Sequence, residues 1–239
     1  MLWAFGAGAA GAADCREETF DRVEYVICTV DLRREQLSLF LYDEADTPYG
    51  YFGSLDKSLE ATGRGLGFAM NAGMYHEDRA PVGLYIENGK MLRDLVTSEG
   101  PGNFGLLPNG VFCIEKGSAR VIETLRFAAE NPQCLHATQS GPMLVIDGDL
   151  HPRFLRNSTS RYIRNGVGTD ADGQTATFAI SNAPVTFHEF GRLFRDHLGL
   201  DQALYFDGNI SRVRAPGLMR NDIGFGALGP IVGVIEAAR

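Results

Sequence analysis

Positive charge is in short supply in this chain: 22 Lys and Arg stand against 30 Asp and Glu in 239 residues, a net charge of -8. Nucleic acid is thereby excluded as a bulk electrostatic partner, although a local basic site is not. Long apolar runs are missing beyond residue 14. None approaches the roughly 18 residues of a membrane helix, so no membrane span is expected. Cysteine is sparse, at 15, 28, 113 and 134, and without C-x-x-C spacing, which argues against zinc. His188-Glu189 is not followed by the second histidine of H-E-x-x-H, since position 192 is Arg, and "TQSGP" around Ser140 lacks the G-x-S-x-G elbow. Neither a metal helix nor an acyl-enzyme serine is therefore expected. No metal and no cofactor is assigned. Linkers and repeats of fixed period are also absent, which leaves residues 14–239 as one domain.

What is present is ordinary for a folded protein, with 44% hydrophobic and 22% charged residues over a length that buries a core without staples. The start, "MLWAFGAGAAGAADC", contains G-x-G-x-x-G at Gly6, Gly8 and Gly11, but only five residues precede Gly6. That is too few for the first strand of a dinucleotide fold. Residues 1–13 read instead as the remnant of a secretory signal. An even cysteine count behind such a start points to an oxidising compartment, periplasmic or secreted. The sequence-local pairs Cys15–Cys28 and Cys113–Cys134 are expected, each stabilising by roughly 3 kcal/mol; free buried thiols are the alternative.

Runs rich in branched and aromatic residues predict strands at 23–30 and 36–42, read as a hairpin. Asn88-Gly89, Asp147-Gly148 and Asp172-Gly173 each precede or split such runs and favour the primed turns of hairpins. Helices are predicted at 54–63 and at 186–199, the latter opening with Thr186 and Glu189 in capping-box spacing and closing at Gly199. The strands on either side of the second helix are expected to run parallel. The fold class is α+β: a single strand-rich domain with mixed sheets and few helices.

Several apolar runs end alike. "ALYFDGNIS" stops on Asp207 and Gly208, "GFAMNAGMY" breaks at Asn71-Ala72-Gly73, "TQSGPMLV" carries Ser140-Gly141, and "RNGVG" places Arg164 and Asn165 beside glycine. Each puts a polar side chain next to glycine at a strand terminus, where backbone amides become available. Arg153, Arg156, Arg161 and Arg164 lie in a stretch free of acidic residues. It is either a solvated surface hairpin or an anion site that uses the planar guanidinium. Gathered on one sheet edge, these ends would form a cleft suited to a phosphorylated sugar.

In order, "NAGMY", "PNGVF", "TQSGPMLV", "RNGVG", "LYFDGNIS" and "LGPIVGVI" resemble the phosphodiester glycosidase family over roughly residues 65–235. Ile210 stands where that family has glycine. The resemblance implies hydrolysis of the sugar C1–oxygen bond of a glycosyl-1-phosphodiester, in envelope or exopolysaccharide metabolism, with a small-molecule or glycan phosphodiester as partner. A non-catalytic carbohydrate- or phosphate-binding module on the same fold is the alternative. Such cleavage passes through a sugar cation and a departing phosphate anion, which assigns Arg164 to the phosphate and Asp207 to nucleophile or general base. His76 is the candidate helper, and Glu99, Asp78 and Asp94 are candidates for a second carboxylate. Asn71, Gly73, Asn109, Ser140, Gly141, Asn165, Gly208 and Ser211 are the expected substrate-binding positions.

Overall fold

Short runs rich in branched and aromatic residues form strands here, and the central ones are buried along nearly their whole length. The structure, a computed structural model, describes residues 13–208 and 210–237. The expected signal remnant lies outside them except for Ala13, as does Asn209. Three sheets result. The largest has seven strands in the order Asp14–Phe20, Val23–Asp31, Thr175–Ser181, Asn165–Thr169, Gln202–Asp207, Met143–Ile146 and Asp149–Leu150. The second orders Arg220–Asn221, Val213–Ala215, Arg64–Asn71, Ile231–Ala237 and Gln36–Phe40; the third orders Lys90–Arg93, Tyr85–Glu87, His136–Ser140, Gly110–Glu115 and Ser118–Glu123.

The strand-rich α+β class holds, but the sheets are not mixed: every pairing among the described strands is antiparallel. Thr175–Ser181 and Gln202–Asp207 do run the same way, yet Asn165–Thr169 sits between them and pairs antiparallel with each. The helical connection therefore steps over one strand. The expected hairpin of 23–30 with 36–42 does not form. Val23–Asp31 has Asp14–Phe20 on one side and Thr175–Ser181 on the other, while Gln36–Phe40 pairs with Ile231–Ala237. Both edges of the first strand were already taken by longer partners.

One core fills the space enclosed by the sheets, with Val26, Phe178 and Phe206 from the seven-stranded sheet meeting Phe68 and Val232 from the second and Phe112 from the third. Each sheet has a helix on its outer face. Phe52–Glu60 buries Phe52, Leu55 and Leu59, close to the predicted 54–63. Thr124–Glu130, not predicted, covers the third sheet with Phe127; seven residues are too few to show a helical period. The third, Phe187–Arg192, is opened by the predicted Thr186/Glu189 capping box and runs on as a π-turn, Leu193–His197. It lays Phe190, Leu193 and Phe194 against Ile27, Leu144 and Tyr205 on the outer face of the large sheet.

Both expected disulfides are formed. Cys15 and Cys28 face each other across adjacent strands, and Cys113 is tied to Cys134 in the apolar layer under the second helix. No helix among the described residues is long and apolar enough to cross a membrane.

Candidate functional site at the converging strand ends

The strand ends singled out in the sequence meet in space. Asn71 closes a strand of the second sheet, Ser140 one of the third, and Asn165 and Asp207 lie opposite each other at one end of the first. Asn165 is the knot. Its Nδ2 donates to the Asn71 carbonyl at 2.9 Å and to Asn71 Oδ1 at 3.1 Å, and its Oδ1 accepts the Asp207 amide at 3.1 Å. Asn71 in turn donates to the Ile210 carbonyl at 2.7 Å and accepts the Arg212 amide at 2.8 Å. The Ser140 hydroxyl donates to the Phe206 carbonyl at 2.8 Å, and the Ser211 hydroxyl lies 2.7 Å from the Asp207 carbonyl. Asn71, Ser140 and Asn165 are fully buried, and their hydrogen bonds are made within the protein. Three sheets are thereby pinned together beside Asp207.

Arg164 lies under this knot, on the outer face of the large sheet, and none of its side chain is exposed. Its guanidinium carbon is 3.6 Å from the centroid of the Phe187 ring, with Tyr205 and Tyr162 at 5.3 and 5.4 Å. Such stacking of a desolvated cation on aromatic faces is favourable by about 2 kcal/mol. Nε donates to the Val185 carbonyl at 2.9 Å and Nη2 to the Ser160 carbonyl at 3.2 Å. Nη1 and the Tyr205 hydroxyl are both buried without a well-formed hydrogen bond, and each is the other's polar neighbour. No carboxylate pairs with Arg164 among the described residues. Burial lowers the guanidinium's pKa, opposed by its attraction to Tyr205, but arginine remains protonated in proteins.

Tyr205 links this cation to the acid. Tyr205 and Asp207 are two positions apart on one strand, either side of a register shift, and the Asp207 charge acts on the Tyr205 phenol. Burial pushes the Tyr205 phenol up most, Arg164 pulls it down and Asp207 pushes it up further. Asp207 is half-buried, and its Oδ1 accepts the Gly208 amide at 2.6 Å. Its charge also reaches Tyr75, whose phenol is raised chiefly by burial and then by Asp207.

The remaining predicted residues fall in several places. Gly73 has φ +107°, and a Cβ there would stand 2.6 Å from the Thr138 hydroxyl, so no side chain fits. Asn109 is buried, packs against Gly141, and bonds the Phe104 carbonyl at 2.8 Å and the Thr124 hydroxyl at 2.6 Å. His76 is exposed, in a turn closed by its own backbone with Ala80 and Arg79. The arginine stretch does not form one anion site. Arg153 pairs with Glu99 at 3.1 Å and Arg161 with Glu189 at 2.6 Å, both near the surface, so only Arg164 is withdrawn from solvent and free of a counter-charge. Asp78 accepts the Ala80 amide at 3.0 Å within the His76 turn, and Asp94 is exposed. None of the three suggested second carboxylates contacts the knot.

Sequence reasoning missed the wall opposite. An open cleft of about 670 Å³ is lined by Gly208, Ser211, Ile210, Arg212, Asp222 and Ile223. Arg212 has no ion pair among the described residues, whereas Asp222 is paired with Arg220 at 3.0 Å. The only signal was adjacency, since "SRVR" follows "FDGNI" directly. No group of three or more His, Cys, Asp or Glu side chains suited to a metal occurs among the described residues.

Residues 64–222 match the model of a family described as Phosphodiester glycosidase. The chain is 34% identical over 189 residues, 79% of its length and 73% of the relative's, to the Escherichia coli (strain K12) protein named "Uncharacterized protein YigE". Among solved structures, it is similar to the zebrafish N-acetylglucosamine-1-phosphodiester alpha-N-acetylglucosaminidase catalytic domain auto-inhibited by its pro-peptide. That likeness has a TM-score of 0.64 at 14% identity, over 92% of this chain and 81% of that one. A hypothetical protein from Synechocystis gives a TM-score of 0.63 at 12% identity, covering 93% of this chain and 61% of that one. At these identities the two structures speak for the fold.

Proposed function

The chain belongs to the phosphodiester glycosidase family, and from that premise we propose that it hydrolyses the sugar C1–oxygen bond of a glycosyl-1-phosphodiester. One observation carries the reading: a fully buried arginine that has no carboxylate partner among the described residues and only the Tyr205 phenol beside its remaining donor. An uncompensated buried cation is costly. It is retained where an anion completes it, and the departing phosphate of this reaction is such an anion.

In this reading Arg164 supplies the positive field for the phosphate. Arg164 acts through its field from behind the strand end, while Arg212, on the cleft wall and without an ion pair among the described residues, is the cation that the phosphate meets. A preorganised ionic donor at developing negative charge lowers a barrier by roughly 3 kcal/mol. Asp207 acts as nucleophile or general base, held by a strand end on rigid scaffold. A phosphate is a better leaving group than an alcohol, so a strong acid opposite Asp207 is dispensable. Gly208 and Ser211 line the cleft and would meet the sugar. Asn71, Asn109, Ser140, Gly141 and Asn165 support these positions from behind, and His76 has no assigned step. The two disulfides support an oxidising compartment, periplasmic or secreted, where an exported enzyme would serve envelope or exopolysaccharide metabolism.

Arg164→Ala and Asp207→Asn test the reading on a panel of chromogenic sugar-1-phosphodiesters. Each is expected to lower kcat/KM by about a hundredfold or more with circular dichroism unchanged. In the second variant the carboxamide oxygen can still accept the Gly208 amide, so the local backbone keeps its hydrogen bond. Turnover unaffected by both variants would remove the mechanism; a wild type inactive on the whole panel would favour a binding module.

A further inference from the structure

Beside the cleft that reaches Gly208 and Ser211 lies a second cavity of about 240 Å³, walled by Tyr51, Phe52 and Leu228. Arg212, Asn221, Asp222 and Ile223 line both. The two adjoin across these four residues as two halves, polar near Asp207 and apolar beyond Arg212. Ile163, Ile210 and Ile223 add three branched apolar side chains to the polar half. Above the apolar half, Ile223 is 89% exposed, Phe225 107% and Tyr51 42%. Single exposed apolar residues need no explanation. Here Tyr51 and Ile223 line a cavity that shares a wall with the candidate site, and Phe225 follows in the same loop, which marks a binding surface. Arg212 stands at the junction. Its Nη1 donates to the Gly226 carbonyl at 2.8 Å, and its guanidinium packs over Gly224, which fixes the loop that carries Ile223 and Phe225.

We propose that this second cavity is the subsite for the group beyond the phosphate, and that this group is apolar, so that the substrate is a glycosyl phosphodiester of a hydrophobic alcohol. The proposal rests on the phosphodiester glycosidase reading of the adjoining cleft. The sugar lies by Asp207, the phosphate crosses the Arg212 junction, and the apolar chain enters between Tyr51, Phe52 and Leu228 under Ile223. In the reaction the C1–oxygen bond breaks, water supplies the hydroxyl at C1, and its proton leaves with the phosphate monoester of the alcohol. The wall shared with the cleft is what commits the apolar surface to this occupant rather than to a second copy of the chain.

The test compares kcat/KM for two diesters of one sugar, with methyl and octyl groups beyond the phosphate. Each methylene buried should favour octyl by roughly fourfold, so the wild type is expected to prefer it by about tenfold or more. Ile223→Ser and Tyr51→Ala, both at exposed positions, should bring that ratio towards one. Equal use of the two diesters, or a ratio that neither variant changes, overturns the proposal. Should neither diester be hydrolysed, the glycosidase reading fails by itself. Calorimetric binding of octyl phosphate against methyl phosphate then decides the subsite: tenfold tighter octyl binding supports it and equal binding overturns it. A dimer seen in sedimentation that Ile223→Ser dissociates, with the octyl preference intact, would assign the surface to self-association and also overturn it.

Discussion

The guanidinium of Arg164 lies 3.6 Å from the centre of the Phe187 ring, at the start of the helix that crosses from one strand of the large sheet to another. The helix and the strand end are thereby locked together. Phe187 also meets Tyr205 edge-on at 4.8 Å, so the same helix fixes the phenol between Arg164 and Asp207. A cation placed this way is stiff, and its position depends on packing rather than on a salt bridge.

The absence of a side chain at position 208 is matched to the Tyr205 hydroxyl, with which a Cβ there would collide. Gly208→Ala is expected to destabilise by about 1–3 kcal/mol through overpacking. Tyr205→Phe removes the colliding oxygen and should recover most of that loss. A double-mutant cycle by urea unfolding reads the coupling; additive effects would show that the two do not touch.

Acid should weaken the fold before it reaches most carboxylates. His136 and His151 are buried, and desolvation pushes each from 6.5 down to about 4. Their folded pKa values are depressed, so the unfolded chain binds protons first as pH falls. The stability they contribute is complete above about 6.5 and is lost on the way down to 4, amounting to about 2 kcal/mol each by pH 5. Urea midpoints measured from pH 7.5 to 5 should fall, and the slope should flatten in a His136→Gln, His151→Gln double variant. A flat wild-type profile would contradict this.

Cys113 and Cys134 sit in the apolar layer between the third sheet and its helix, both nearly without exposure. Replacing both by serine removes a crosslink worth roughly 3 kcal/mol and buries two hydroxyls. The thermal midpoint should drop further than for the same change at Cys15 and Cys28, where Cys15 is only partly buried. Equal drops would place both bridges on the same footing.

Much of this molecule was legible because local chemistry decided it. Asn88-Gly89 and Asp147-Gly148 adopt left-handed backbone at both positions, as two-residue hairpin turns require, and the flanking strands pair across them. The capping box at Thr186 and Glu189 forms as spaced, and the sequence-local cysteines find each other. The strand Asp14–Phe20 was less legible because it lies at a sheet edge with no position fully buried. The misread hairpin of 23–30 failed for a related reason: adjacency in the chain is a weak guide when a strand's better partner, Thr175–Ser181, lies far along it.

The candidate site divides the same way. Residue types and their order established which strand ends carry polar side chains beside glycine, and through them the family. Only tertiary structure decided that Asn71, Ser140 and Asn165 face inward as a brace, that Arg164 alone of its stretch is buried, with no carboxylate partner among the described residues, and that Arg212 and Ile223 wall the cleft. Turns, caps and short loops are set by neighbours a few residues away. The direction in which a side chain points at a sheet's end is set by which distant strands close around it, and that is a property of the assembled core.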